Sequence, residues 1–134
     1  MTDSLCFEFT DTLPSPAAYP GAQVARVTGR LWGKDELLTA LAEQLAFPSY
    51  FGMNWDALEE CLSILLPNQG RRVVIVHEAL PKGMADSEIG MYLRVLYDVC
   101  QSRLRSGDPQ LTAVFLSTDR SRVLGIHREG SSSE

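Results

Sequence analysis

The sequence predicts an α/β domain in which helices cover a small parallel sheet. Three apolar segments are typical of strands, and helical patterns separate them: Gln23–Gly29, Arg72–His77 and Leu111–Ser117. The order strand, helix, helix, strand, helix, strand favours parallel strands joined by right-handed crossovers. A chain of 134 residues, 45% of them apolar, is also long enough to bury one ordinary core.

Two helices are predicted between the first and second strands. The first begins near Asp35, which can cap it, and Pro48 helps to end it. Its apolar residues recur at helical spacing: Leu37, Leu38, Leu41 and Leu45. The second runs from about Trp55 to Leu65, with Asn54 as its cap. The next strand, within Arg72–His77, is continuously apolar, as expected for a strand covered on both faces.

A long helix is predicted from about Asp86 to Arg105, and Gly107-Asp108-Pro109 ends it. One face of this helix is apolar: Ile89, Leu93, Leu96, Cys100 and Leu104. Beyond the third strand, Val123–His127 is a candidate for a further short strand. The last residues, Gly130–Glu134, are expected to be disordered.

The termini are predicted to be extensions of one domain that spans residues 1–134. Residues 1–21 contain Phe7 and Phe9 in alternation with Cys6 and Glu8, which is compatible with a short strand, and then a proline-rich linker. The core is expected over about 22–117. Residues 118–134 form the C-terminal extension.

Composition excludes several classes of protein. There is no run of eighteen apolar residues, so we expect no membrane partner, and the N-terminus does not resemble a signal peptide. The three cysteines, Cys6, Cys61 and Cys100, form no CxxC motif and cannot all pair, which is typical of a protein of the reducing cytoplasm. Cys61 and Cys100 are predicted to be inert thiols in the core. No metal or cofactor motif is present, so none is expected. The net charge of −5 argues against a nucleic-acid partner.

Acidity is concentrated in one window. Between Lys34 and Arg71 there is no Lys or Arg, whereas there are six acids: Asp35, Glu36, Glu43, Asp56, Glu59 and Glu60. At 100° per residue, the second helix carries an apolar stripe of Trp55, Leu58, Cys61 and Leu62. The acids Asp56, Glu59 and Glu60 lie together on its opposite side. This pattern fits either an ordinary solvated helix face or a surface that binds a basic partner.

An aromatic loop leads directly into this helix, and the two together are distinctive. The stretch PSYFGMNWDAL, residues 48–58, resembles the signature of the barstar family, intracellular inhibitors of guanyl-specific ribonucleases. The resemblance covers about Gln23–Ser117. It implies a three-stranded parallel sheet with helices. It also implies a binding face, made of the second helix and its preceding loop, that plugs a ribonuclease active site.

The resemblance implies a role for several residues of this face. Tyr50 matches the loop tyrosine that lies against the enzyme's catalytic site, and Gly52 and Asn54 match positions that shape and cap the loop. Asp56 matches a binding aspartate. Glu60 stands where the family has its principal anionic residue, an aspartate, so the charge is kept on an arm longer by one methylene.

Two positions depart from the family pattern. Glu59 stands where the family's namesake has a tryptophan. The acid of the family's long helix falls near Ser102, where this chain has none, and the nearest carboxylate is Asp98, one turn earlier. These departures point to a different nuclease partner or to none.

The leading hypothesis is a cytoplasmic inhibitor, monomeric when free, that blocks a basic ribonuclease or nuclease toxin without chemistry of its own. Its contacts are Tyr50, Asp56, Glu59 and Glu60, with Gly52 and Asn54 holding the loop. The alternative is an interaction or regulatory module that kept this fold but binds a partner other than a nuclease. A third reading, a small hydrolase using His77 or an Asp56/Glu60 acid–base pair, lacks a nucleophile motif.

Overall fold

The sheet has four strands, one more than the sequence predicts. The computed structural model describes residues 6–48, 51–65 and 71–132. Its strands are β1 (Phe7–Thr10), β2 (Gln23–Val27), β3 (Val73–His77) and β4 (Leu111–Leu116). All pairings are parallel, in the order β1-β4-β3-β2. The predicted parallel α/β sheet is therefore confirmed, with β1 added at the edge beside β4.

Within the described residues, the sheet is accompanied by four α-helices. They are α1 (Lys34–Gln44), α2 (Trp55–Glu60), α3 (Asp86–Ser106) and α4 (Arg120–Ser132). A single π-helical turn, Cys61–Leu65, continues α2 towards β3.

The segment Val123–His127 is helical, so the expectation of a short strand there is wrong. It lies inside α4, and Val123, Leu124, Ile126 and His127 are buried. The helix α4 packs along α3, and this long-range packing decides the conformation of a five-residue apolar run that fits either structure. The helix also continues to Ser132, into the segment for which the sequence suggested disorder.

The two faces of the sheet are covered by different parts of the chain. Leucines of α1, α2 and α3 pack on one face with Ala25, Ile75 and Ala113. On the other face, Val74, Val76 and Val114 pack with Leu13, Tyr19 and Ala22. Since β1 and β2 lie at opposite edges of the sheet, residues 11–22 must cross this second face. We call this segment the strap, and it explains why β3 is apolar throughout.

A disulfide between Cys6 and Cys100 joins the start of β1 to α3. The prediction that Cys100 is an inert thiol is therefore wrong, because it is bonded to a residue 94 positions earlier. Because two of the three cysteines pair, the number of cysteines does not indicate a reducing compartment. Cys61 is a buried free thiol whose pKa is raised by burial and then by the charge of Glu60.

Candidate protein-binding site

The start of α2 is fixed by the side chain of Asn54. Its Oδ1 accepts a hydrogen bond from the Ala57 N–H at 2.8 Å, and its Nδ2 donates to the Gly52 carbonyl at 3.2 Å. One side chain thus caps the helix and ties it to the preceding loop. A methyl group on Gly52 would approach Asn54 Nδ2 to 3.4 Å, so the loop lies close to its cap. The positive φ of this turn falls on Met53, at 55°, rather than on Gly52.

The helix α2 has one buried side and one acidic side, as the sequence predicts. Trp55, Leu58 and Leu62 are buried, whereas Asp56, Glu59 and Glu60 are exposed. The three acids, together with Ser63, line a shallow depression of about 310 Å³, which we call the acidic patch. Among the described residues, no Lys or Arg nitrogen forms an ion pair with these carboxylates. The acids are therefore available to a partner.

The aromatic loop is described only in part. Tyr50, the predicted loop contact, lies outside the described residues, as does Ser49. Phe51 is partly buried against the core, and its ring centroid lies 5.1 Å from that of Phe47.

Trp55 connects the start of α2 to the centre of the sheet. Its ring packs on Tyr92 of α3, with centroids 6.0 Å apart, and Lys34 Nζ lies 5.2 Å from the Trp55 centroid. The Tyr92 hydroxyl donates a hydrogen bond to His77 Nε2 at 2.7 Å, and His77 Nδ1 donates to the Val114 carbonyl at 3.0 Å. This tautomer follows from Val114, because a carbonyl can only accept. The acidic helix therefore begins on a hydrogen-bonded support that reaches β3 and β4.

The environment of His77 is that of a structural residue. The ring is 1% exposed, it stacks on Phe115 with centroids 4.2 Å apart, and both nitrogens are hydrogen-bonded. Burial lowers the pKa of His77 to about 4. Asp56, by contrast, is exposed on the outer side of α2. The hydrolase reading used either His77 or an Asp56/Glu60 pair; the structure buries the first and leaves the second on an exposed helix surface.

The far end of α2 is held by Arg103, a residue that sequence analysis missed. Its guanidinium donates to the Leu62 carbonyl at 2.9 Å and to the Pro109 carbonyl at 2.6 Å. Arg103 is 1% exposed, and burial lowers its pKa, opposed by the charge of Asp108. A cation beside the last carbonyls of a helix is favourable. The spacing in the sequence indicates its burial, because position 103 lies on the same helical face as Leu96.

A polar groove between α2 and α3 adjoins the acidic patch. We call it the side groove; its volume is about 510 Å³. Its lining is Glu59, Ser63, Tyr97, Asp98, Gln101, Ser102 and Arg105. Glu59 and Ser63 belong to both surfaces, so the patch and the groove are continuous. Asp98, the predicted nearest carboxylate on the long helix, lies in the groove, and its Oδ2 is 3.8 Å from Arg94 Nε.

Within residues 6–48, 51–65 and 71–132, no three His, Cys, Asp or Glu side chains are placed to hold a metal ion. In the same ranges, no helix has both the length and the apolar character needed to cross a membrane.

Comparison with protein-family models places the chain in a known family. Residues 23–116 match the family model described as Barstar (barnase inhibitor). No curated protein matches the chain. The matched range contains β2, β3 and β4, the acidic patch and the side groove, and it leaves out β1, the strap and α4.

Proposed function

Because the chain belongs to the barstar family, we propose that it inhibits a basic ribonuclease by covering the enzyme's active site with α2 and its preceding loop. Asp56, Glu59 and Glu60 are the proposed anionic contacts. Tyr50 is the proposed loop contact, and Asn54 holds the loop on the helix together with Gly52.

The observation that carries this proposal is the set of unpaired carboxylates on a fixed helix. A ribonuclease pocket that binds RNA phosphates contains Arg, Lys and His groups. Carboxylates can replace the phosphates through charge-assisted hydrogen bonds. Because Asn54 caps α2 and Arg103 holds its far end, the helix that carries the acids is ordered before the partner arrives. Binding then costs less conformational entropy. Inhibition of this kind needs no reaction by the inhibitor.

The test is an RNA-cleavage assay with guanyl-specific ribonucleases, including any nuclease encoded beside this protein. We expect the wild type to inhibit one of them and the Asp56→Ala/Glu60→Ala variant to lose inhibition by at least tenfold. The matched control is Asp35→Ala/Glu43→Ala, which removes two exposed acids from α1 instead. Equal potency of the wild type and the α2 variant, or no inhibition of any such nuclease, would contradict the proposal.

Two residues favour a second candidate function, an interaction module for a partner other than a nuclease. Glu59 replaces the tryptophan of the family's namesake, and Arg105 brings a cation into the adjoining side groove. A partner that carries both acidic and basic groups on its surface could pair with Glu59 and Arg105 together. Recovery of a non-nuclease protein that binds the wild type but not the Asp56→Ala/Glu60→Ala variant would favour this function.

We also propose that the protein acts as a cytoplasmic immunity protein and is a monomer when free. An inhibitor that protects its own cell must act where that cell's RNA is. Cell fractionation and size-exclusion chromatography test the two statements.

A further inference from the structure

The N-terminal strand touches the residues that form the wall of the side groove. Cys6 is bonded to Cys100 of α3, and Gln101 Nε2 lies 3.5 Å from Cys6 Sγ. The Phe7 ring packs edge-on against Tyr97, with centroids 6.1 Å apart. Tyr97 and Gln101 both line the side groove. A part of the chain outside the family match therefore supports a surface inside it.

We propose that the binding face extends from the acidic patch into the side groove, with which it shares Glu59 and Ser63, and that the Cys6–Cys100 disulfide regulates it. The oxidised protein holds β1 against α3 and keeps the side groove in shape, and reduction releases β1 and weakens partner binding. This inference rests on the proposed function, because it concerns affinity for the same ribonuclease.

The position of β1 makes it dependent on the disulfide. It is an edge strand of four residues, and it pairs only with β4. Its largest buried contribution is Phe7, which contacts Phe115 and His127 as well as Tyr97. Short edge strands open more readily than central ones. A covalent link across 94 residues removes much of the chain entropy that favours opening.

The reaction is a thiol–disulfide exchange with a dithiol reductant. A thiolate of the dithiol attacks one sulfur of the Cys6–Cys100 bond, the S–S bond breaks, and a mixed disulfide forms. The second thiol of the reductant attacks that mixed disulfide and leaves as part of a cyclic disulfide. Two electrons and two protons pass from the dithiol to Cys6 and Cys100, which become thiols. Since both sulfurs are buried, attack requires β1 to separate from β4 first.

The expected loss of affinity is partial. Tyr97 keeps its contact with His127, at a centroid distance of 4.8 Å. The acidic patch itself is held by hydrogen bonds of Asn54 and Arg103 whose partners lie outside β1. Reduction therefore removes support from Tyr97 and Gln101 while Asp56 and Glu60 stay in place. In the reduced protein, Tyr97 and Gln101 must be ordered again when the partner binds, which lowers the affinity about tenfold. We expect this loss mainly as faster dissociation.

The experiment compares the full chain in its oxidised form, after reduction with dithiothreitol, and as Cys6→Ser with and without dithiothreitol. Surface plasmon resonance with a guanyl-specific ribonuclease that the oxidised form binds measures dissociation, and hydrogen exchange measures opening of Phe7–Thr10. We expect reduction to increase the dissociation rate about tenfold and to increase exchange in β1. Cys6→Ser should behave as the reduced form in both conditions.

The outcomes separate the two proposals. Equal dissociation of the oxidised and reduced forms, with loss of binding in Asp56→Ala/Glu60→Ala, would overturn the regulatory inference and leave the inhibitor function standing. Unchanged exchange in β1 after verified reduction would also overturn the inference. If neither form binds any ribonuclease, the proposed function fails, and the inference fails with it.

Discussion

The hydroxyl of Tyr92 and Nε2 of His77 lie 2.7 Å apart in the buried interior, and the tyrosine donates the hydrogen bond. Trp55, the first residue of the acidic helix, packs on the same tyrosine. Nε2 accepts this hydrogen bond only while it is unprotonated, and an imidazolium would have to donate to the tyrosine oxygen instead. The support of the binding helix is therefore linked to the protonation state of a buried histidine.

The first prediction concerns stability in acid. The pKa of His77 is lowered from 6.5 to about 4 by burial, so folding favours the neutral ring. The contribution of His77 is fully present above pH 6.5 and is lost as the pH falls towards 4, by at most about 3 kcal/mol. Urea unfolding at pH 7 and pH 4 should show this loss. His77→Gln should reduce the pH dependence, and an unchanged dependence in that variant would count against the prediction.

The second prediction separates the two hydrogen bonds of Asn54. Asn54→Ala removes both the cap and the tie to Gly52, and it should lower the free energy of unfolding by about 1 kcal/mol. Asn54→Asp keeps an acceptor for the Ala57 N–H but loses the donor to Gly52. We expect stability near that of the wild type for Asn54→Asp, with faster hydrogen exchange in the loop before α2. Equal stability of the Ala and Asp variants would show that Asn54 does not act as a cap.

The third prediction concerns Arg103. Arg103→Met leaves the Leu62 and Pro109 carbonyls without their buried donors, and it should lower the free energy of unfolding by about 2–4 kcal/mol. Arg103→Lys should recover part of the loss, since one ammonium can still donate. Arg105→Met, which removes an exposed arginine two residues later, should change stability by less than about 0.5 kcal/mol. Similar losses for the Arg103→Met and Arg105→Met variants would refute the assigned role.

The fourth prediction tests electrostatic attraction to the proposed basic partner. The association rate constant should fall by about tenfold or more between low salt and about 1 M salt, because salt screens the field of the acidic patch. Asp56→Asn/Glu60→Gln should flatten this dependence. Asp35→Asn/Glu43→Gln has the same change in charge and should flatten it less. Stopped-flow measurements decide the point, and identical slopes for the two variants would speak against a binding role of the patch.

Much of the fold can be predicted because its signals are local. The continuous apolar run of β3 indicates a central strand, and the spacing of Trp55, Leu58 and Leu62 separates the buried side of α2 from its acids. A continuous apolar run is typical of a strand that is covered on both faces, and the spacing in α2 follows the period of a helix. The cap formed by Asn54 is also visible in the sequence, since asparagine before a helix is a strong local signal.

The remaining features depend on contacts between distant parts of the chain. Three cysteines allow several pairings, and no local pattern selects Cys6 with Cys100 across 94 residues. Arg103 carries a charge that predicts exposure, and only the two carbonyls beside it explain its burial. The run Val123–His127 fits a strand or a helix, and its packing on α3 decides between them. Tertiary contacts, and not local sequence patterns, determine these three features.

The strap lies outside residues 23–116, the range that matches the family, but it covers one face of the sheet. A fragment limited to residues 23–116 would keep the acidic patch and the side groove, but it would expose Val74, Val76 and Val114 to water and leave the edge of β4 unpaired. Uncovered valines next to an open strand edge promote self-association. We therefore expect this fragment to self-associate, and binding studies should use a chain that keeps β1 and the strap.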